Sequence, residues 1–217
     1  MVFAAAAFTA VAQTLSVFAA QLNFQETEQR CHDYTIGADA QIAACTPLIG
    51  LYGDAVENTG LSALTFLTRG TAYGVKGDRE RAMADYREAI RRDSIPLDTG
   101  TREPLLLNDR CWARTIAMIE LDAALADCNE ALMLRPEFTP ARDSRAFLHF
   151  KRGEFRDALA DYEAVLKAMP MNYYSMFGRG ITKLRLGDSA GGNADIAAAV
   201  VAEKGIREEF AAYGVNP

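Results

Sequence analysis

The sequence predicts an all-α fold, a solenoid of stacked antiparallel helix pairs with an N-terminal half-repeat and a C-terminal capping helix. The first observation behind this is a recurring segment: RAMADYREAIRRDS from Arg81, AALADCNEALMLRP from Ala123, DALADYEAVLKAMP from Asp157 and GGNADIAAAVVAEK from Gly191, the last three spaced by 34 residues. In each, Ala-Asp precedes a larger residue, Tyr86, Cys128, Tyr162 or Ile196, and a second small residue, Gly70, Ala146 or Gly180, stands upstream behind Arg69, Arg145 or Arg179. The second observation is punctuation. Gly77-Asp78, Gly153-Glu154 and Gly187-Asp188 supply turns, and Pro136 and Pro170 stop helices. The third is composition: 217 residues, 50% of them hydrophobic, suffice for one elongated core, and no period-2 alternation of Val, Ile and Thr announces strands.

The elements follow in order. Residues 1–20, MVFAAAAFTAVAQTLSVFAA, carry no charge and lead into polar QLNFQETEQR, the pattern of a secretory signal cut after Ala19 or Ala20. A basic n-region is missing, since the first charge is Glu26 and the first basic residue Arg30, and an uncleaved membrane anchor in the envelope is the competing reading. Residues 21–62 form the half-repeat, and four helical hairpins occupy 63–96, 105–138, 139–172 and 173–206. Between the first two, DSIPLDTGTREP (Asp93 to Pro104) adds eight residues to the period and reads as an exposed loop. Residues 207–217 complete a C-terminal cap.

A 34-residue helical hairpin with small residues at the helix crossing resembles the tetratricopeptide repeat. More narrowly, Arg30-Cys31 with IAACTPLI (Ile42 to Ile49), RCWARTIA (Arg110 to Ala117), LDAALADCNEAL (Leu121 to Leu132), SRAFLHFKRGEFRDALADYEAVL and the closing FGRGITKLRLGDSAGGNADIAAA look like a group of exported tetratricopeptide repeat proteins common in alphaproteobacteria. The resemblance covers nearly everything after residue 28. It implies a right-handed superhelix in the periplasm or envelope and brings no catalytic residue with it. Trp112 departs from the small residue that the repeat places there.

Four cysteines allow three pairings. The local one, Cys31 with Cys45 and Cys111 with Cys128, closes two short loops, each stabilising by roughly 3 kcal/mol in the chain-entropy model, and implies an oxidising compartment. Buried free thiols are the alternative. Arg69, Arg145 and Arg179 each precede an aspartate, Asp85, Asp161 or Asp195, by sixteen residues, which predicts three ion pairs between the helices of a hairpin, each contributing at most about 1 kcal/mol. In the second hairpin Asp127 persists while Cys111 stands at the arginine position, so the disulfide is expected to replace the ion pair.

A net charge of −6, with no basic cluster beyond Arg91-Arg92, argues against a nucleic-acid partner. His32 and His149 lack zinc-ligand spacing and read as packing residues, and there is no hydrolase triad order, Walker loop or dinucleotide fingerprint. The expectation is a non-enzymatic scaffold without cofactor or metal that binds a protein or peptide partner. Its groove is expected to present Leu67, Thr71, Asp109, Ala113, Asp143, Phe147, Phe150, Tyr174, Phe177 and Ile181, turning aromatic toward the C-terminal end. A peptide with apolar anchors and a basic residue opposite Asp109 or Asp143 would fit. Against an open groove stands GIREEFAAYGV, which could cover the aromatics through Ile206, Phe210 and Tyr213. Self-association, or service as an accessory subunit of an envelope enzyme or assembly complex, are the other roles compatible with such a stack; membrane contact requires an uncleaved N-terminus.

Overall fold

Amphipathic periodicity builds the helices of the computed structural model, which describes residues 23–33, 35–52, 59–98 and 100–216. In α8 (Phe155–Ala168) the buried residues are Ala158, Asp161, Tyr162, Val165 and Leu166, one continuous stripe at helical spacing. The other helices are α1 (23–31), α2 (Ala38–Tyr52), α3 (Thr59–Val75), α4 (Arg79–Asp98), α5 (Pro104–Ala117), α6 (Leu121–Leu134), α7 (Thr139–Lys151), α9 (Tyr173–Arg185), α10 (Ser189–Ala202) and α11 (Ile206–Ala212). No strand occurs among the described residues. The N-terminal segment 1–20 lies outside them, and no described helix is long and apolar enough to cross a membrane.

Helices α3 and α4, α5 and α6, α7 and α8, and α9 and α10 pair as hairpins, and each first helix packs on the first helix of the next hairpin. Local chemistry sets the boundaries. The Asn172 side chain accepts from the Ser175 amide at 3.0 Å and starts α9, and Asp188 accepts from the Gly191 amide at 2.9 Å and starts α10. Gly77, Gly153 and Gly187 turn three of the hairpins at φ of 76°, 79° and 90°. The α5–α6 turn has no glycine and uses Met118 and Glu120 in the left-handed region instead, with the Glu120 carboxylate accepting from Arg114 Nε at 3.0 Å.

Two sequence expectations are corrected. The insertion after Asp93 is not an exposed loop: α4 continues to Asp98 through Pro96, Asp93 is buried, and the Ser94 hydroxyl donates to the Ile90 carbonyl at 2.8 Å. The second hairpin also keeps its ion pair. Arg110, one residue before Cys111, clasps Asp127 with Nε at 2.9 Å and Nη2 at 2.6 Å, and Arg114 adds a second guanidinium to the same carboxylate. The equivalent clasps are Arg69 on Asp85 (2.8 and 2.8 Å), Arg145 on Asp161 (2.7 and 2.8 Å) and Arg179 on Asp195 (2.7 and 2.7 Å). The disulfide therefore adds to the ion pair rather than replacing it, because α5 extends one residue further beyond its arginine than the other first helices do.

These clasps are bidentate and sunk between helices, with side-chain exposure of 6–12% on the aspartates, so the small contribution of a surface pair does not describe them. Three of the arginines also reach the preceding hairpin or half-repeat: Arg69 Nη1 donates to Thr46 Oγ1, Arg110 Nη1 to Ser94 Oγ and Arg145 Nη1 to Asn129 Oδ1, at 3.4, 3.2 and 2.8 Å. One residue thus fixes the crossing within a hairpin and its contact with its neighbour.

The cysteines pair locally: Cys31–Cys45 joins α1 to α2 at a Cα separation of 4.8 Å, and Cys111–Cys128 joins α5 to α6 at 5.6 Å. His32 Nδ1 lies 3.1 Å from Thr68 Oγ1 and ties the half-repeat to α3.

Glycines admit the bulky partners that the repeat pattern pairs with them. A Cβ at Gly178 would stand 2.4 Å from Cζ of Tyr162, a ring that is 1% exposed and has nowhere to retreat. Gly178→Ala is expected to lower stability by about 2 kcal/mol or more in urea unfolding, whereas Gly50→Ala, which meets nothing within 4 Å, should be neutral or stabilising.

Candidate functional site

The inner face of the stack is formed by α3, α5, α7 and α9, and the chain's own C-terminus lies against it. Gly205, at φ of 94°, turns the backbone out of α10 into α11, which crosses the face and packs on α3 of the first hairpin. Phe210 enters between Phe177 and Phe147, with ring centroids at 4.5 and 5.7 Å. Tyr213 stacks edge-on against Trp112 at 5.3 Å and Phe147 at 5.9 Å. Phe210 and Tyr213 are 5% and 6% exposed, and burial of two such rings stabilises by roughly 1.5–3 kcal/mol each.

Polar contacts fix the segment's register. Glu209 accepts from Tyr174 Oη at 2.9 Å and from Tyr213 Oη at 2.7 Å, and burial raises its pKa against the effect of these two bonds. Lys151 Nζ donates to the Tyr213 carbonyl at 2.6 Å. The segment is thereby held by α5, α7 and α9 together.

The residues expected to line an open groove take different places. Leu67, Ala113, Phe147, Phe150, Phe177 and Ile181 belong to the continuous core, which also takes in Ile206, Phe210, Tyr213 and Val215. Thr71 is buried and spends its hydroxyl on the Leu67 carbonyl at 3.1 Å. Tyr174 is half-buried over Glu209. Asp109 and Asp143 are not on a solvated face: Asp109 accepts from Asn108 Nδ2 at 3.1 Å, and Asp143 accepts from the Ser175 hydroxyl across the α7–α9 contact. Burial pushes both carboxyls up to about 6, so each is still mostly ionised at neutral pH but carries a desolvation cost there.

Sequence reasoning did not assign a role at the site to Lys151 or Glu209, and Trp112 entered only as an anomaly. That anomaly was the available signal, since the oversized residue on α5 is the one that meets Tyr213. His149 is half-buried with Nδ1 2.6 Å from Glu154 Oε2, and a possible ligand atom of Asp157 lies within 4.8 Å of theirs. Glu154 also accepts from Arg152 at 2.8 Å, which accounts for the cluster as an internal ion-pair network around the α7–α8 turn.

No family model matches the chain, and no curated protein matches it in sequence. Among solved structures it is similar to a tetratricopeptide repeat protein from Parabacteroides merdae, with 14% identity over 88% of this chain and 84% of that one and a TM-score of 0.50. The fold is that of a tetratricopeptide-repeat solenoid. A match to YrrB, described as a tetratricopeptide repeat protein with an unusual peptide-binding site, has 17% identity, 82% and 84% coverage and a TM-score of 0.45. One to MamA has 17% identity, 80% and 91% coverage and a TM-score of 0.42. At these identities the likeness is one of fold.

The tetratricopeptide-repeat stack buries acids between its hairpins, with a measurable consequence. Burial also raises Asp93, helped by its neighbour Asp109, and leaves its Oδ1 without a partner. An acid whose pKa is higher in the folded than in the unfolded chain binds more protons when folded, so its contribution is complete below about pH 4 and is lost as pH rises through about 6. Asp143→Asn keeps an acceptor for Ser175 and is expected to stabilise the protein at pH 7.5 by on the order of 1–3 kcal/mol and to do nothing at pH 4, measured by urea unfolding at both values.

Proposed function

We propose that this chain is a non-enzymatic interaction scaffold of the bacterial periplasm or envelope whose inner groove receives an amphipathic helical segment with aromatic anchors. The observation that carries the proposal is the seating of α11: a short helix with Phe210 and Tyr213 on one face already lies among Trp112, Phe147 and Phe177. Helix-in-groove recognition reads such anchors at spacings of three and four residues, and 210 and 213 have one of them. In this proposal the groove candidates divide. Phe147, Phe177 and Tyr174 contact the occupant; Leu67, Thr71, Ala113, Phe150 and Ile181 shape the wall behind them; Asp143 joins α7 to α9, and Asp109 bonds Asn108 on its own helix.

Export is part of the same proposal. The uncharged segment 1–20 has the character of a secretory signal, and two local disulfides suit an oxidising compartment. An N-terminal anchor in the envelope serves the same scaffold role with the solenoid outside the cytoplasm.

The test uses the full chain with Phe210→Ala and Tyr213→Ala, which loosens the segment without removing it, and a synthetic peptide of residues 205–217. The variant is expected to bind the peptide saturably, and a peptide bearing the same two alanines to bind roughly 30-fold more weakly, the loss of about 2 kcal/mol typical of a buried aromatic anchor. A folded variant that ignores both peptides contradicts the groove assignment and leaves α11 as a cap alone.

A further inference from the structure

Under the C-terminal segment lies a cavity of about 270 Å³, walled by α3, α4, the end of α5, Lys151 and residues 211–214. Its wall is polar and apolar in near-equal measure, the apolar part including Ala82, Met83, Ile116 and Ala212, and no carboxylate of the described residues lines it. Two cations do, Arg79 and Lys151. Elsewhere the arginines at the hairpin crossings are clasped by aspartates, and the chain as a whole carries six more negative than positive charges. Two cations on a partly apolar cavity whose described lining has no acid are therefore out of character for this molecule.

Lys151 has spare capacity. Its ammonium carries three donors, and the bond observed for it is the one to the Tyr213 carbonyl. Burial and the positive charge of Arg79 both lower its pKa, which is the response of an ammonium that lacks an anion. It also sits on the wall of a second, more open cavity of about 560 Å³, which shares Met118 and Gly214 with the first and contains a further cation, Arg185, and the rings of Phe150 and Phe155. That second cavity is likewise positive and partly apolar.

We propose that the cavity beneath the C-terminal segment is a binding site for a small organic monocarboxylate with a short apolar tail. The carboxylate would lie between Arg79 and Lys151, where a planar guanidinium offers paired donors and the ammonium a third, and the tail would lie along Met83 and Ile116. The apolar side of the wall, at Met83 and Ile116, gives no partner to the outer oxygens of an anion that is polar all round, such as phosphate, and suits a tail instead. The volume falls below that of sites for drug-sized ligands, so the fitting acid is small, on the order of six to ten heavy atoms. The site shares residues 211–214 with the segment seated in the aromatic groove, so it exists only while that segment is in place; it does not depend on whether a further partner binds.

Hexanoate is the probe, titrated into the full-length oxidised protein by calorimetry, with hexylammonium and hexanol as controls for charge and tail. Hexanoate is expected to bind saturably and to raise Tm, and the two controls to do neither. Arg79→Gln, an exposed position whose loss the fold tolerates, is expected to weaken hexanoate about tenfold, the value of one charge-assisted contact. Lys151→Gln retains a donor for the Tyr213 carbonyl and is expected to weaken it similarly. No saturable binding of hexanoate, equal binding of hexylammonium, or unchanged affinity in Arg79→Gln each overturns the proposal. Tighter binding of a short peptide with a free C-terminal carboxylate than of hexanoate also overturns it, because the site would then serve a chain end rather than a free acid.

Discussion

The clasp between one arginine on the first helix and one aspartate on the second is the interaction on which the geometry of this solenoid rests. A bidentate guanidinium–carboxylate contact admits little variation in distance or angle, so it sets how the two helices of a hairpin cross. Because Arg69, Arg110 and Arg145 also donate to the preceding unit, the same contact sets how successive units stack. Desolvating these charges is costly, and the completed bonds offset that cost only in the observed arrangement. The clasps therefore specify geometry more than they add stability.

A stack fixed in this way presents its first helices as one inner face, and that face is too apolar to be left in water. Trp112, Phe147 and Phe177 come from three successive hairpins, and α11 covers all three through Phe210 and Tyr213. The C-terminal segment spans the stack from its last hairpin to α3 of its first, so it braces the superhelix as well as covering it. Its hold is uneven. Aromatic packing and Glu209 anchor the middle, whereas the end lies over a cavity with two cations that no carboxylate among the described residues answers.

The hairpins were legible in the sequence because small residues at helix crossings, glycine turns and the 34-residue period all express local geometry. The cysteine pairing was legible for a related reason, since each pair is close in sequence and faces across one hairpin. The Arg110–Asp127 clasp was missed, with Cys111 standing at the expected arginine position, because a fixed period assumes identical turns, whereas the hairpin with the glycine-free turn at Met118 and Glu120 separates its arginine and aspartate by one residue more. Helix α4 was cut short for a similar reason: the 34-residue period ends the first hairpin at 96, whereas the helix runs on through Pro96 to Asp98. At the site, the aromatic positions could be named, and their occupant, GIREEFAAYGV, only as an alternative to an open groove. Nothing local distinguishes a terminal helix that caps the stack's end from one that folds back over its inner face; that choice is made by long-range contact with Trp112 and α3.

The most direct test of this picture is amide hydrogen exchange across residues 206–213 in the full-length oxidised protein. Exchange there as slow as in α7 and α9 is the expected result, because the segment can open only by withdrawing Phe210 and Tyr213 from the core. Exchange at the rate of an unstructured peptide, with α7 and α9 still protected, would show that the groove stands open and that the C-terminal helix does not close it.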